Sequence, residues 1–249
     1  MKRLLLLISI MPLLTLVLPA QPASGVKQAV AEKRGPEAPA AVTPVELAAA
    51  VQAAHGGEKL KKLRSLVLKG SADLSFNGQA VPGAFSTVIS GEKYYFEIVT
   101  AIQQLKQTFD GQQTYSSIPG FSLPPVTSLG FPLLCKIGDA VYPISVLPEG
   151  SKKRKGFRVT TPEGFYTDFF VHEKTGQIKG YESQWLDGGN RAITTSVEID
   201  EFQTVDGLIV PKKYSQRFVL GPITAYANFN AKSVLVNTKI EDAAFVIPK

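Results

Sequence analysis

The sequence predicts a mainly β (α+β) fold: a curved antiparallel sheet, or partial barrel, of about eleven strands, with an N-terminal helix and a helical lid. Three observations predict it. From Ser65 onward the apolar pattern switches to a period of two. Short turn-forming clusters, most of them containing Gly, separate consecutive runs, which joins neighbouring strands as an antiparallel meander. Between Ile118 and Gly150 the alternation stops, broken by Pro119, Pro124, Pro125, Pro132, Pro143 and Pro148, yet the segment stays apolar.

The chain has 249 residues, 44% hydrophobic and 19% charged, which suffices for a sizeable core and excludes global disorder. One Cys excludes an intramolecular disulfide framework and a Cys-cluster metal site, and two His argue against a His-rich centre. Residues 1–25 read as a secretory signal. Lys2 and Arg3 precede an uncharged apolar run, Leu4 to Leu18, which is shorter than the roughly 20 residues that span a bilayer. Pro19 and Pro22 follow, then Ala23-Ser24-Gly25, which places cleavage after Gly25 or after Ala20; the alternative is an uncleaved anchor. No Cys follows the run, so the lipid-anchored type of signal is not expected. Loss of Lys2 and Arg3 takes the formal net charge from +6 to +4, too mild an excess for a nucleic-acid footprint.

Residues 26–43, rich in Ala, Pro, Glu and Lys, read as a flexible linker, and the folded domain as 44–249. Thr43-Pro44-Val45-Glu46 is a capping box that opens a helix. Its stripe is Pro44, Val45, Leu47, Ala48, Val51 and Ala54. His55-Gly56-Gly57 ends it, with His55 placed to favour the helix dipole. Glu58 to Arg64 forms a second short helix. The strands then run over Ser65–Phe76, about Val81–Ser90, Lys93–Thr100, Gln103–Phe109 and Gln112–Ser117. After the break they resume at Lys155–Thr161, Gly164–Glu173, Gln177–Leu186, Asn190–Phe202, Ile209–Leu220 and Ile223–Val236. Hairpin turns fall at Asn77-Gly78, Asp187-Gly188-Gly189 and Gly221-Pro222, among others. In the last strand Ile223, Ala225, Ala227, Phe229, Ala231, Ser233 and Leu235 share one face. Phe245 and Ile247 tuck back into the core.

The Pro-broken segment is too apolar for a free loop. One or two short helices lying across the sheet are expected there. Phe121, Leu123, Leu129, Phe131, Leu133, Leu134, Ile137 and Val141 either plug the sheet permanently or cover an apolar ligand. Cys135, flanked by Phe131, Leu133, Leu134 and Ile137, reads as a buried free thiol. Lys152-Lys153-Arg154-Lys155 is a charge run: a solvated loop, or a contact for anionic head groups or an acidic partner.

Catalytic chemistry finds little support. Asp168 and His172, four apart on one strand, share a face but lack further ligands or a nucleophile. A Cys135–His172 pair lacks any supporting local sequence. No Gly-rich loop follows a strand and opens a helix. No cofactor, metal or enzymatic activity is expected.

Four stretches in order carry a resemblance. They are Ala53-Ala54-His55-Gly56-Gly57-Glu58-Lys59-Leu60 with Leu63-Arg64-Ser65-Leu66; Phe109-Asp110-Gly111-Gln112; Phe170 to Tyr181 through Lys174-Thr175-Gly176-Gln177; and Phe202 to Pro211 with the closing Asn237 and Asp242 to Pro248. Together they resemble the periplasmic lipoprotein-carrier superfamily of LolA/LolB-like proteins, over about residues 44–249. The resemblance implies an open half-barrel whose helices close the concave face over a space for acyl chains or a hydrophobic peptide. It implies a periplasmic binding or carrier protein for lipidated protein or other acyl-chain ligands, with a membrane surface or envelope protein as a further partner. The alternative is a structural or sensory envelope module of the same fold with no lipid cargo. No family functional residue maps onto a position here, and the basic residue that pins the carrier's lid has no clear counterpart.

Overall fold

The computed structural model describes residues 42–76, 79–117, 130–151, 154–186, 192–220 and 223–248. The signal at 1–25, the linker up to 41, the turns at 77–78, 187–191 and 221–222, Phe121, Leu123, Leu129, Lys152 and Lys153 lie outside them.

The capping box forms as the sequence predicts. The Glu46 N–H donates to Thr43 Oγ1 at 3.2 Å, and the Thr43 N–H donates to Glu46 Oε2 at 2.8 Å. It starts α1 (Pro44–Ala54), followed by α2 (Glu58–Lys61). Helix α1 buries Ala48, Val51 and Gln52, whereas Val45, expected on the apolar stripe, faces solvent.

Among the described residues, twelve strands form one open antiparallel sheet. They are β1 (Ser65–Phe76), β2 (Gln79–Ser90), β3 (Lys93–Thr100), β4 (Gln104–Phe109), β5 (Thr114–Ser116), β6 (Ile144–Ser145), β7 (Gly156–Thr160), β8 (Tyr166–Val171), β9 (Ile178–Leu186), β10 (Ala192–Val205), β11 (Leu208–Leu220) and β12 (Ile223–Val236). Their order is β5-β4-β3-β2-β1-β12-β11-β10-β9-β8-β7-β6. Two meanders therefore join where β1 pairs with β12, and the Pro-broken segment is the link from one free edge to the other. Strand β6 is the one element that alternation does not show. It is two residues long, lies at the sheet edge and sits between Pro143 and Pro148, where missing N–H donors cost least.

The sheet is strongly curved. Phe96 on β3 and Tyr181 on β9 line the same cavity. Six strand steps separate them, and on a flat sheet at about 4.8 Å per step they would lie roughly 29 Å apart. Close backbone approach permits the bending: a Cβ on Gly70 would meet the Asn230 carbonyl oxygen at 1.9 Å, so only glycine fits there.

The last strand departs from simple alternation. Lys69 pairs with Ser233 and Gly70 with Ala231, so Lys232 is an extra residue in β12. One inserted residue reverses the faces. Ala225, Ala227, Phe229 and Ala231 are buried before it, and Val234 and Val236 turn inward after it. Ser233 and Leu235, expected on the inner face, are exposed. Phe245 does tuck in, but on the opposite side of the sheet: it is buried with Val67 and Val88 against Tyr95 and Ile240, a cluster separate from the main core. Ile247 is only half-buried.

Candidate ligand cavity and its mouth

Inside the curve, residues 131–136 form a single 3₁₀ helix, Phe-Pro-Leu-Leu-Cys-Lys, here called the plug. Phe131, Leu133, Leu134 and Ile137 join the main core beside residues of α1, α2 and the sheet, and Leu133 and Leu134 have no exposure at all. Val141 instead points outward and is 55% exposed, because the chain has by then left the concave face for the β6 edge.

Three features hold the plug. The Gln52 side-chain amide donates to the carbonyls of Leu134 at 2.8 Å and Ile137 at 3.2 Å. The Leu134 carbonyl otherwise has only a long bond from the Ile137 N–H, at 3.4 Å, and the Ile137 carbonyl has no other partner among the described residues, so the amide completes the plug's C-terminal end. Gly130, with φ of 75°, opens the turn against the Tyr181 ring; a Cβ there would lie 2.6 Å from the ring. At the rim Lys136 pairs with Glu92 at 3.0 Å. The hydrogen bond to Glu92 is the main reason the Lys136 ammonium is held above its ordinary pKa.

Beneath the plug lies a cavity of about 90 Å³. Its floor is Leu66 and Leu68 from β1 and Thr87 and Ile89 from β2. Phe96, Val197, Pro211, Tyr214 and Gln216 form the sides, and Phe131, Pro132 and Tyr181 lie over it. Only Thr87 and Gln216 bring non-aromatic polar side chains. Burial raises the pKa of both Tyr181 and Tyr214, so each phenol stays protonated and neutral across the physiological range. An uncharged, mostly hydrocarbon lining of this kind excludes water and favours apolar contents.

A second hollow of about 140 Å³ adjoins it and opens at the rim. Leu66, Ile89 and Pro132 are walls of both spaces. This mouth is ringed by Lys61, Arg64, Glu92 and Lys136, with Cys135 at its side. Cys135 is half-buried, and burial pushes its thiol up to about 11, so it is a poor nucleophile. The four cations Lys59, Lys61, Lys62 and Arg64 within six residues were the signal for this basic rim. The run at 152–155 draws attention first only because it is contiguous.

The described members of that later run, Arg154 and Lys155, lie elsewhere. They line a groove of about 680 Å³ with Phe170, Glu182, Glu198 and Arg217. Those residues alternate with inward-facing Phe169, Tyr181 and Val197, so the groove is on the convex face. Arg154 stacks on Phe170, 4.6 Å from the ring centroid. Neither residue is among those lining the cavity beneath the plug.

Asp168 and His172 do not meet as a site. Asp168 is buried and accepts two hydrogen bonds from Arg158, at 2.6 and 2.8 Å, with that guanidinium 3.6 Å over the Tyr166 ring. His172 lies beyond the strand end in an exposed turn, where its Nδ1 accepts from the Thr175 N–H at 3.3 Å. Among the described residues, no group of three His, Cys, Asp or Glu side chains is arranged to hold a metal ion. No described helix is long and apolar enough to cross a membrane.

His55 is the residue whose role sequence reading mistook. It is fully buried, and its hydrogen-bond partners are backbone groups. A carbonyl can only accept, so Nδ1 donates to Ile209 O at 2.8 Å, and Nε2 then accepts from the Ile178 N–H at 3.0 Å. The ring is neutral, and desolvation lowers its pKa further. It therefore offers no charge to the helix dipole. It ties the end of α1 to β9 and β11, and it packs edge-on against the plug's Phe131 at 5.6 Å.

No protein-family model and no curated protein matches the sequence. Solved structures with similar folds include a DUF1329 family protein from Desulfovibrio piger, with 11% identity, a TM-score of 0.48, and 82% of this chain and 98% of that one covered. A LolA superfamily protein from Nitrosomonas europaea has 14% identity and a TM-score of 0.48 over 83% of this chain and 99% of its own. A domain from Vibrio parahaemolyticus, described as an outer membrane lipoprotein-sorting protein domain, has 10% identity and a TM-score of 0.45 over 81% and 95%.

Proposed function

We propose that this chain is an exported, non-enzymatic binding or carrier protein of the cell envelope that shelters acyl chains, free or attached to protein, between its concave face and the plug. The observation that carries this reading is the apolar cavity beneath Phe131 and Pro132, which adjoins a rim hollow that shares its walls Leu66, Ile89 and Pro132. The export pattern of residues 1–25 and the LolA/LolB-like motif order support it.

At about 90 Å³ the cavity is well below the roughly 300–1,000 Å³ of a typical ligand pocket. A full acyl chain enters only by displacing the plug. The energetics permit this. Burying about fourteen methylenes at about 0.8 kcal/mol each is worth about 11 kcal/mol, whereas exposing Phe131, Leu133 and Leu134 at about 1.5–3 kcal/mol each costs about 5–9 kcal/mol. Protein purified from its native envelope is expected to carry lipid that mass spectrometry detects. A clean apo protein that takes up no fluorescent fatty acid would reject the proposal.

The complete burial of Leu133 and Leu134 favours one other reading, an envelope interaction module whose cavity is filled by its own plug. It predicts no lipid uptake and a protein partner recoverable by cross-linking in the envelope.

A further inference from the structure

The mouth differs from the cavity in its charge. Four ionic side chains line it: Lys61, Arg64 and Lys136 against Glu92. Two of the cations are already answered by carboxylates, Lys61 by Glu58 at 2.9 Å and Lys136 by Glu92 at 3.0 Å. The Arg64 guanidinium has no ion-pair or hydrogen-bond partner among the described residues. Its backbone, by contrast, is held on both sides. The Arg64 N–H donates to Asn237 Oδ1 at 2.8 Å, and its carbonyl accepts from the Gly91 N–H at 3.0 Å. Asn237 takes a left-handed conformation, φ 54°, to make that contact. An arginine with a fixed root and an unanswered head thus stands at the opening of an apolar cavity, two residues before the cavity wall Leu66.

A guanidinium is the side chain best suited to grip a planar or tetrahedral oxyanion through two parallel N–H bonds. Its neighbours pair off with carboxylates, Lys61 with Glu58 and Lys136 with Glu92, which leaves the Arg64 guanidinium as the uncompensated charge among the residues lining the mouth.

We infer that the mouth is a head-group site, with Arg64 as its principal contact, selecting amphiphiles that join an acyl chain to an anionic oxygen-bearing head. This rests on the acyl-binding reading above and names its ligand class. Carboxylate and phosphate heads share the required chemistry.

Binding of palmitate, hexadecyl phosphate and hexadecanol to the full chain, each by displacement of a fluorescent fatty alcohol, tests it. Both anionic ligands are expected to bind at least about tenfold more tightly than hexadecanol, and whichever shows the larger ratio identifies the preferred head. In Arg64→Gln the anionic and neutral affinities are expected to converge, while Arg64→Lys retains part of the preference. Raising salt is expected to shrink the ratio in the native protein and not in Arg64→Gln. Equal affinities in the native protein, or a ratio untouched by Arg64→Gln, would overturn the head-group site and leave the apolar cavity standing. Failure of all three ligands to bind would instead overturn the acyl-binding reading on which it rests.

Discussion

The Gln52 side chain on α1 reaches the carbonyl of Leu134, 82 residues away, at 2.8 Å, and the same amide reaches Ile137 at 3.2 Å. One buried side chain thereby sets how firmly the plug closes the cavity. Replacing Gln52 with Ala removes both bonds, leaving the Ile137 carbonyl unpaired and the Leu134 carbonyl with only the 3.4 Å bond from the Ile137 N–H, and about 1–3 kcal/mol of stability is expected to be lost. The thiol of Cys135, on the plug itself, is the reporter. In the native protein, with its thiol pushed up to about 11 and half-buried, it is expected to react slowly with a disulfide reagent at pH 8. In Gln52→Ala the rate is expected to rise severalfold. An unchanged rate would show that the plug does not depend on this contact.

His55 makes stability depend on pH. It is neutral in the fold, and burial lowers its pKa below the unfolded value of about 6.5. The unfolded chain therefore binds the proton first as pH falls. The stabilisation is fully present above about pH 6.5 and is lost as pH drops through the unfolded value toward the depressed folded one. Denaturant midpoints from pH 8 to pH 5 are expected to fall, and to fall less steeply in His55→Gln. Equal slopes in the two proteins would contradict the neutral, buried assignment.

Leu133 is a test of the plug's packing. Leu133→Ala is expected to cost about 2–5 kcal/mol, because the side chain is completely enclosed and the cavity left behind cannot collapse fully. The same change enlarges the apolar space. If that space accepts an acyl chain, fatty-acid uptake is expected to increase despite the lower stability. Loss of both stability and uptake would point to the self-filled module.

Asp168→Asn probes the Arg158 pair. Removing one charge strands a partly buried guanidinium, so a loss of about 3–5 kcal/mol is expected, whereas His172→Ala, in an exposed turn, is expected to be close to neutral in thermal unfolding. Comparable losses in the two variants would contradict their separate placement.

Much of this architecture was legible because it rests on local chemistry. The capping box at Thr43 and Glu46, the alternation of β1 through β4 and the Gly-containing turns all announce themselves within a few residues. The features that escaped depend on partners distant in sequence. The extra Lys232 is visible only against β1, which fixes the register. The neutral role of His55 is set by Ile178 and Ile209, more than 120 residues away. The place of Phe131 to Ile137 in the core was readable from their apolarity, but the outward turn of Val141 follows from the β6 edge strand. The basic rim at Lys61 and Arg64 was obscured by interleaved Leu60 and Leu63, which pack inward and break up the charge run.

The central claim, that an acyl chain occupies the space between the concave face and the plug, is tested most directly by photo-cross-linking with a diazirine-bearing palmitate, followed by peptide mapping. Adducts are expected on the cavity-facing residues Leu68, Phe96, Phe131, Val197 and Tyr214, and they are expected to be competed away by unlabelled palmitate. Adducts confined to the convex groove around Phe170 and Arg217, or none above background, would contradict the account.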